Sequence, residues 1–198
     1  MVSSRRKMLA ARDDLADKIG KIAENRGFTL FGMLNDLLDL EIKADSMGIS
    51  LKEAVDAYEL AKEVRDASFT LVLESLLYDT AEIAYEKATE KTLKTWFDAG
   101  VWIAQRYIAR GVAEPLVAYE RELKVFGWNI PGISMERSKK GVSFRILSPH
   151  FSEVYTILFN RYLQGILVGS GYEVTFNEVG RGNIRLEAVK RGVDGNSR

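Results

Sequence analysis

Up to about residue 126 the apolar residues of this chain recur every three or four positions, and all three prolines (Pro115, Pro131, Pro149) lie beyond residue 110. After that point the period falls to two in four short stretches. A chain with this order has a helical N-terminal part, and strands are confined to its last third. Leu15, Ile19, Ile22 and Ala23 predict one helix, stopped by Arg26-Gly27. Thr29 caps a second, whose buried face would be Met33, Leu34, Leu37, Leu38 and Ile42. Met47-Gly48 breaks the pattern, and Ser50-Leu51-Lys52-Glu53 reads as a capping box for a third helix running to about Ala67. A broken helical stretch follows from Leu71 to Arg110, with Leu73, Leu76, Leu77, Ile83 and Ala84 on its apolar side and Gly100 marking a bend. Pro115 opens one more helix that closes at Gly127.

Beyond it, Ile133 and Met135 alternate with polar neighbours, as do Val142, Phe144 and Ile146. Ser138-Lys139-Lys140-Gly141 turns between them. Ser148-Pro149 starts a helix through Val154, Ile157, Leu158, Leu163, Ile166 and Leu167, which ends at Gly169-Ser170-Gly171. Val174 and Phe176 form a third strand, Gly180-Arg181-Gly182-Asn183 a turn, and Ile184, Leu186 and Ala188 a fourth. The expected fold is mostly α, with a C-terminal α+β part of order ββαββ.

Several function classes fall away on composition. No Cys means no disulfide, thiolate metal site or thiol nucleophile, and one His (His150) leaves little imidazole chemistry. His150 and Glu153 stand at i, i+3, but with no third ligand in sight His150 reads as a capping or surface residue. Gly169-Ser170-Gly171 follows a helix and precedes a strand, the reverse of a dinucleotide-binding turn. The aromatics Phe126, Trp128, Phe144, Phe151, Tyr155 and Phe159 read as core. With no carboxylate pair, Ser/His/Asp set or Walker loop, the chain reads as a non-enzyme without cofactor or metal. It shows neither an apolar run long enough to span a membrane nor a signal peptide, so a cytoplasmic location is expected.

The net charge is zero, 28 Lys and Arg against 28 Asp and Glu, yet the charges are segregated. Residues 1–12 carry Arg5, Arg6, Lys7 and Arg12 and no acid, residues 48–95 sum to −4, and residues 96–198 to +4. A polyanion would therefore meet the N-terminal arm first.

That arm precedes Asp13-Asp14-Leu15-Ala16, a helix end at Ala23-Glu24-Asn25-Arg26-Gly27, a cap at Thr29 and a second amphipathic helix. Residues 4–44 so arranged resemble the ribbon-helix-helix (Arc/MetJ/CopG-like) DNA-binding superfamily. The resemblance implies an intertwined homodimer whose N-terminal strands pair into a two-stranded ribbon that enters the major groove of double-stranded DNA. Leu9 and Ala11 would then face the dimer core, together with Leu15, Ile19, Ile22, Leu34, Leu37 and Leu38. Arg6, Met8 and Ala10 would face the bases; Arg5, Lys7 and Arg12 would meet phosphates; Thr29 and Leu30 would offer the second helix's N-terminus to a phosphate. Of the groove-facing three, only Arg6 is a hydrogen-bond donor, while Met8 and Ala10 can make apolar contacts only. The expected organisation is a dimerisation and DNA-binding module at 1–46, a helical connector at 47–112 and an α+β domain at 113–198 that senses a small-molecule effector or adds an oligomer contact. Two functional classes follow: a dimeric DNA-binding transcriptional regulator, or a protein-interaction scaffold that keeps the dimer without base reading.

Overall fold

The computed structural model describes residues 7–66, 69–127, 130–138 and 141–192. Among these, the chain is mostly helical, with seven helices and one small C-terminal antiparallel sheet of four strands. Its contacts divide between Phe69 and Thr70 into two compact units. The stretch expected as a connector is thus shared: its first helix belongs to the first unit and the rest to the second.

The first unit holds α1 (Asp13–Asn25), α2 (Leu30–Ser46) and α3 (Leu51–Asp66). Asp13 and Asp14 occupy the first turn of α1, where negative charge favours the helix dipole. At its end Gly27 adopts φ 73°, and its N–H bonds Glu24 O at 3.0 Å while that of Phe28 bonds Ala23 O at 2.9 Å. A side chain at Gly27 would oppose that left-handed conformation, which is why the helix stops there. The turn delivers the chain to Thr29, whose hydroxyl accepts from Gly32 N at 3.0 Å and caps α2. The capping box of α3 is reciprocal: Ser50 N donates to Glu53 Oε2 at 2.7 Å and Glu53 N to Ser50 Oγ at 3.2 Å. The Ser50 N–H, joined by the Ser50 hydroxyl at 2.8 Å, holds the Glu53 carboxyl below its ordinary pKa.

The second unit holds α4 (Glu74–Lys87), α5 (Thr89–Ala109), α6 (Pro115–Phe126), β1 (Gly132–Arg137), β2 (Gly141–Leu147), α7 (Glu153–Gly169), β3 (Tyr172–Gly180) and β4 (Asn183–Lys190). Strand order is β1-β2-β4-β3, with every neighbour antiparallel, and the register of β3 on β4 shifts between Val174 and Phe176. Val142, Phe144 and Ile146 of β2 and Ile184, Leu186 and Ala188 of β4 form one buried face. Helix α7 is buried on most sides, with Leu158, Leu163, Ile166 and Leu167 each at most 1% exposed, because it packs against both α5 and the sheet. Tyr155 lies against the rings of Tyr78, Trp96, Phe151 and Phe159. Phe144, Phe151, Tyr155 and Phe159 are therefore core, as their spacing implied, whereas Trp128 lies outside the described residues.

Two local expectations are corrected. Gly100 does not interrupt α5, which continues from Thr89 to Ala109. A Cβ there would stand 2.0 Å from Tyr162 O of α7, and one at Gly165 would stand 2.0 Å from Phe97 O of α5. The glycines allow two helix backbones to touch. Nor does α7 start at Ser148-Pro149. Ser148 is fully buried and its N–H donates to Gly182 O at 2.8 Å in the β3–β4 turn. The cap is instead Ser152, which accepts from Tyr155 N at 3.2 Å.

One ion pair is buried in this unit. Arg106 Nη2 of α5 meets Glu122 Oε1 of α6 at 2.6 Å, each side chain 9% exposed. Around it burial raises the phenol pKa of Tyr107, Tyr119 and Tyr162, with the Glu122 carboxylate acting in the same direction.

Candidate nucleic-acid interface

The basic arm runs into α1 through Arg12, whose extended backbone (φ −66°, ψ 137°) sets the helix entry. Arg5 and Arg6 lie outside the described residues, so the arm is described from Lys7 onward. Residues 7–12 are all exposed and carry no regular secondary structure within the single chain. A strand has no meaning without a neighbour to receive its alternate N–H and C=O groups, and among the described residues none pairs with this segment. Met8 is fully exposed and Leu9 is 72% exposed. Lys7, Ala10 and Ala11 are likewise open to solvent.

Arg12 is not an unpaired cation. Its Nε donates to Asp14 Oδ1 at 2.9 Å and its Nη2 to Asp14 Oδ2 at 2.6 Å, a two-pronged fit between guanidinium and carboxylate. The bond holds the Asp14 carboxyl below its ordinary pKa. The pair is exposed, and a phosphate reaching Arg12 would compete with Asp14 for the same two N–H groups.

The hairpin of α1 and α2 buries less than its sequence promised. Ala23, Met33 and Ala44 are buried, and Ile19 and Leu37 are half-buried. Leu15, Ile22, Leu34 and Leu38 remain 40–48% exposed. The face expected as one on α2 is two. Met33, Leu37 and Ala44 form the covered one, while Leu30, Leu34, Leu38 and Ile42, spaced four apart, form an exposed apolar ridge along the helix. A residue four positions on advances 40° around the helix, so adjacent ridges merge in a sequence reading and separate only once a neighbour packs against one.

Leu30 is the first residue of α2, directly after the Thr29 cap. No acidic residue stands in that first turn, so the positive end of the helix dipole is not offset there by a carboxylate.

Among the described residues no group of three or more His, Asp or Glu side chains is placed to hold a metal ion. No described helix is long and apolar enough to cross a membrane. Nothing in the sequence singles out Arg145 and Arg185, which the register of β2 on β4 sets directly opposite each other. Each stands at an alternate, polar position of its strand; what brings them together is a pairing between segments 40 residues apart.

Comparison of the chain with protein-family models, with curated proteins and with solved structures gives no match.

Proposed function

We propose that the protein is a dimeric DNA-binding transcriptional regulator, in which residues 4–44 of two copies form a ribbon-helix-helix module. The second unit would sense a small molecule or add an oligomer contact. The exposed ridge Leu30, Leu34, Leu38 and Ile42 of α2, together with the exposed Leu15 and Ile22 of α1, carries this reading. Six large apolar side chains half out of water on a three-helix unit call for a partner surface, and a second copy supplies an identical one about a two-fold axis. An exposed, acid-free basic segment immediately before α1 supplies the strand that such a dimer pairs, and pairing doubles its charge.

In this arrangement Arg5, Arg6 and Lys7 of each chain give six phosphate or base contacts per dimer. Duplex affinity should then fall about a thousandfold between about 50 and 200 mM salt. Arg6→Ala relaxes discrimination at one operator position, and Lys7→Ala lowers affinity equally for all sequences. Asp14→Asn frees Arg12 and steepens the salt dependence. A mobility-shift assay with no duplex binding at low salt would overturn the DNA-binding part.

Met8 and Ala10 favour a second reading. Both are exposed, both are apolar, and both fall where base-reading side chains belong. A scaffold that keeps the dimer but reads no bases fits them. It gives a dimer in light scattering with no salt-dependent duplex binding.

A further inference from the structure

Helix α7 covers one face of the sheet, and no other described element of the second unit covers the opposite one. Register assigns to the open face the residues that alternate with the core: Ser134 of β1, Arg145 of β2, Arg185 of β4 and Glu178 of β3 follow one another in a single row across all four strands. The next row is Gly132, Leu147, Asn183 and Gly180. Glycine at both ends of that row leaves Leu147 as its one apolar side chain, beside a hollow of about 450 Å³ lined by Gly132, Ser134, Arg145, Leu147, Glu178 and Arg185 among others.

The two arginines in the row are directly opposed. Like charges in that position destabilise an antiparallel pair. Arg185 is partly compensated: its Nη2 donates to Glu187 Oε1 at 2.7 Å, and its guanidinium lies over the Phe176 ring at 5.1 Å. Its Nε is nevertheless buried without a hydrogen-bond partner. Arg145 has no ion-pair partner among the described residues, and its neighbours in the row are a serine and the opposing arginine. The sheet thus keeps a costly pair and leaves donors unspent beside a concave, partly apolar surface. Departures of this kind from local preference belong to binding sites.

We propose that this hollow binds a small organic monocarboxylate, its carboxylate between Arg145 and Arg185 and its apolar body against Leu147 and Gly132. The hollow is within the size range of small-ligand sites. A planar carboxylate matches the guanidinium fork. Glu187 already neutralises Arg185, so Arg145 is the cation left for a single negative group, and Glu178 repels a second charge on the ligand. Ser134 supplies a further hydroxyl at the carboxylate end. The proposal stands on the second unit alone and does not depend on the DNA-binding reading.

The test is titration of the full chain with benzoate and isovalerate, and in parallel with inorganic phosphate and uncharged benzyl alcohol, followed by backbone amide shifts in nuclear magnetic resonance. The expected result is a saturable response to at least one carboxylate by about 10 mM, centred on Ser134, Arg145, Leu147, Asn183 and Arg185. Phosphate should bind at least about tenfold more weakly, and benzyl alcohol should give no saturable shift. Arg145→Gln should weaken the carboxylate about tenfold to a hundredfold. Leu147→Trp, which fills the hollow from an exposed position, should abolish binding with the fold's spectrum intact. The proposal is overturned by no saturable response to either carboxylate, by phosphate binding as tightly, or by unchanged affinity in either folded variant.

Discussion

Replacing Gly100 by Ala puts a methyl group into the crossing of α5 and α7. The new Cβ would stand 2.0 Å from Tyr162 O and 2.9 Å from Ile166 N, where real contacts stay beyond 3.0 Å. Both obstacles are backbone atoms, so no side-chain rotation relieves the clash, and the helices must part by about 1 Å. A gap of that size forfeits a quarter to a half of each affected dispersion contact, and the contacts here belong to Ile103, Ala104, Leu163 and Ile166, all within 3% of full burial. Forced insertion of a methylene costs about 1–3 kcal/mol, and an immovable obstacle puts this case at the upper end, about 3. Alanine returns about 1 kcal/mol through helix propensity, so the net loss is about 2 kcal/mol. For a unit of this size that is a fall in Tm of about 8 °C. All three tryptophans (Trp96, Trp102, Trp128) lie after residue 70, so denaturation followed by tryptophan fluorescence reads the second unit alone. Gly165→Ala, at 2.0 Å from Phe97 O, should cost a similar amount. The double variant should cost less than the sum, since one separation accommodates both methyl groups. Gly20→Ala in α1, where a Cβ meets nothing within 4 Å, is the same substitution with the opposite expected sign. A Gly100→Ala protein as stable as the parent would refute the close-approach account.

Other consequences concern charge. Glu122→Leu strands the Arg106 guanidinium in the interior and should cost about 3–5 kcal/mol, while adding Arg106→Met should recover most of it; tryptophan fluorescence in urea measures both. Raising the pH should destabilise the second unit from about pH 10 upward. Burial, with the Glu74 charge adding to it, pushes the Tyr155 phenol up to about 12, and Tyr107, Tyr119 and Tyr162 are raised as well. A group whose folded pKa lies above its unfolded value near 10 contributes stability that is complete below about 10 and is lost as pH climbs to the folded value. For Tyr155 this amounts to about 2–3 kcal/mol by pH 12, and ultraviolet titration of tyrosinate should show these four phenols ionising only as the unit unfolds. Arg145→Thr should stabilise the sheet by about 0.2–1 kcal/mol in the absence of ligand, because it removes the opposed charge. A loss of stability would mean that Arg145 has a structural partner.

The elements were legible in this sequence because their signals are local. The caps at Thr29 and Ser50, the stop at Gly27 and the alternation of β1 to β4 all depend on residues within a few positions of one another. What failed to show depends on contacts between distant segments. Gly100 read as a bend because its partner, Tyr162 O, is 62 residues away. The apolar residues of α2 read as one buried face because only the packing of α1 and α3 against it separates Met33 and Leu37 from Leu34 and Leu38. Serine and proline before α7 read as its start because the hydrogen bond that holds Ser148 comes from the β3–β4 turn. The opposed arginines could not be read at all, since Arg145 and Arg185 become neighbours only through strand order. For the arm the reverse holds. Its charge and its alternating pattern are plain in sequence, while no strand among the described residues pairs with it.

The pairing of that arm between two copies is the claim on which the proposed function rests. The chain has no cysteine, so Met8→Cys provides one unique site for a nitroxide label in each copy. If the N-terminal segments form an antiparallel ribbon, neighbouring Cα atoms lie about 5 Å apart, and the continuous-wave electron paramagnetic resonance spectrum should show dipolar broadening from labels at a distance below about 20 Å. A dimer in solution whose labels show no such distance, or a monomer, would contradict the ribbon and with it the DNA-binding module.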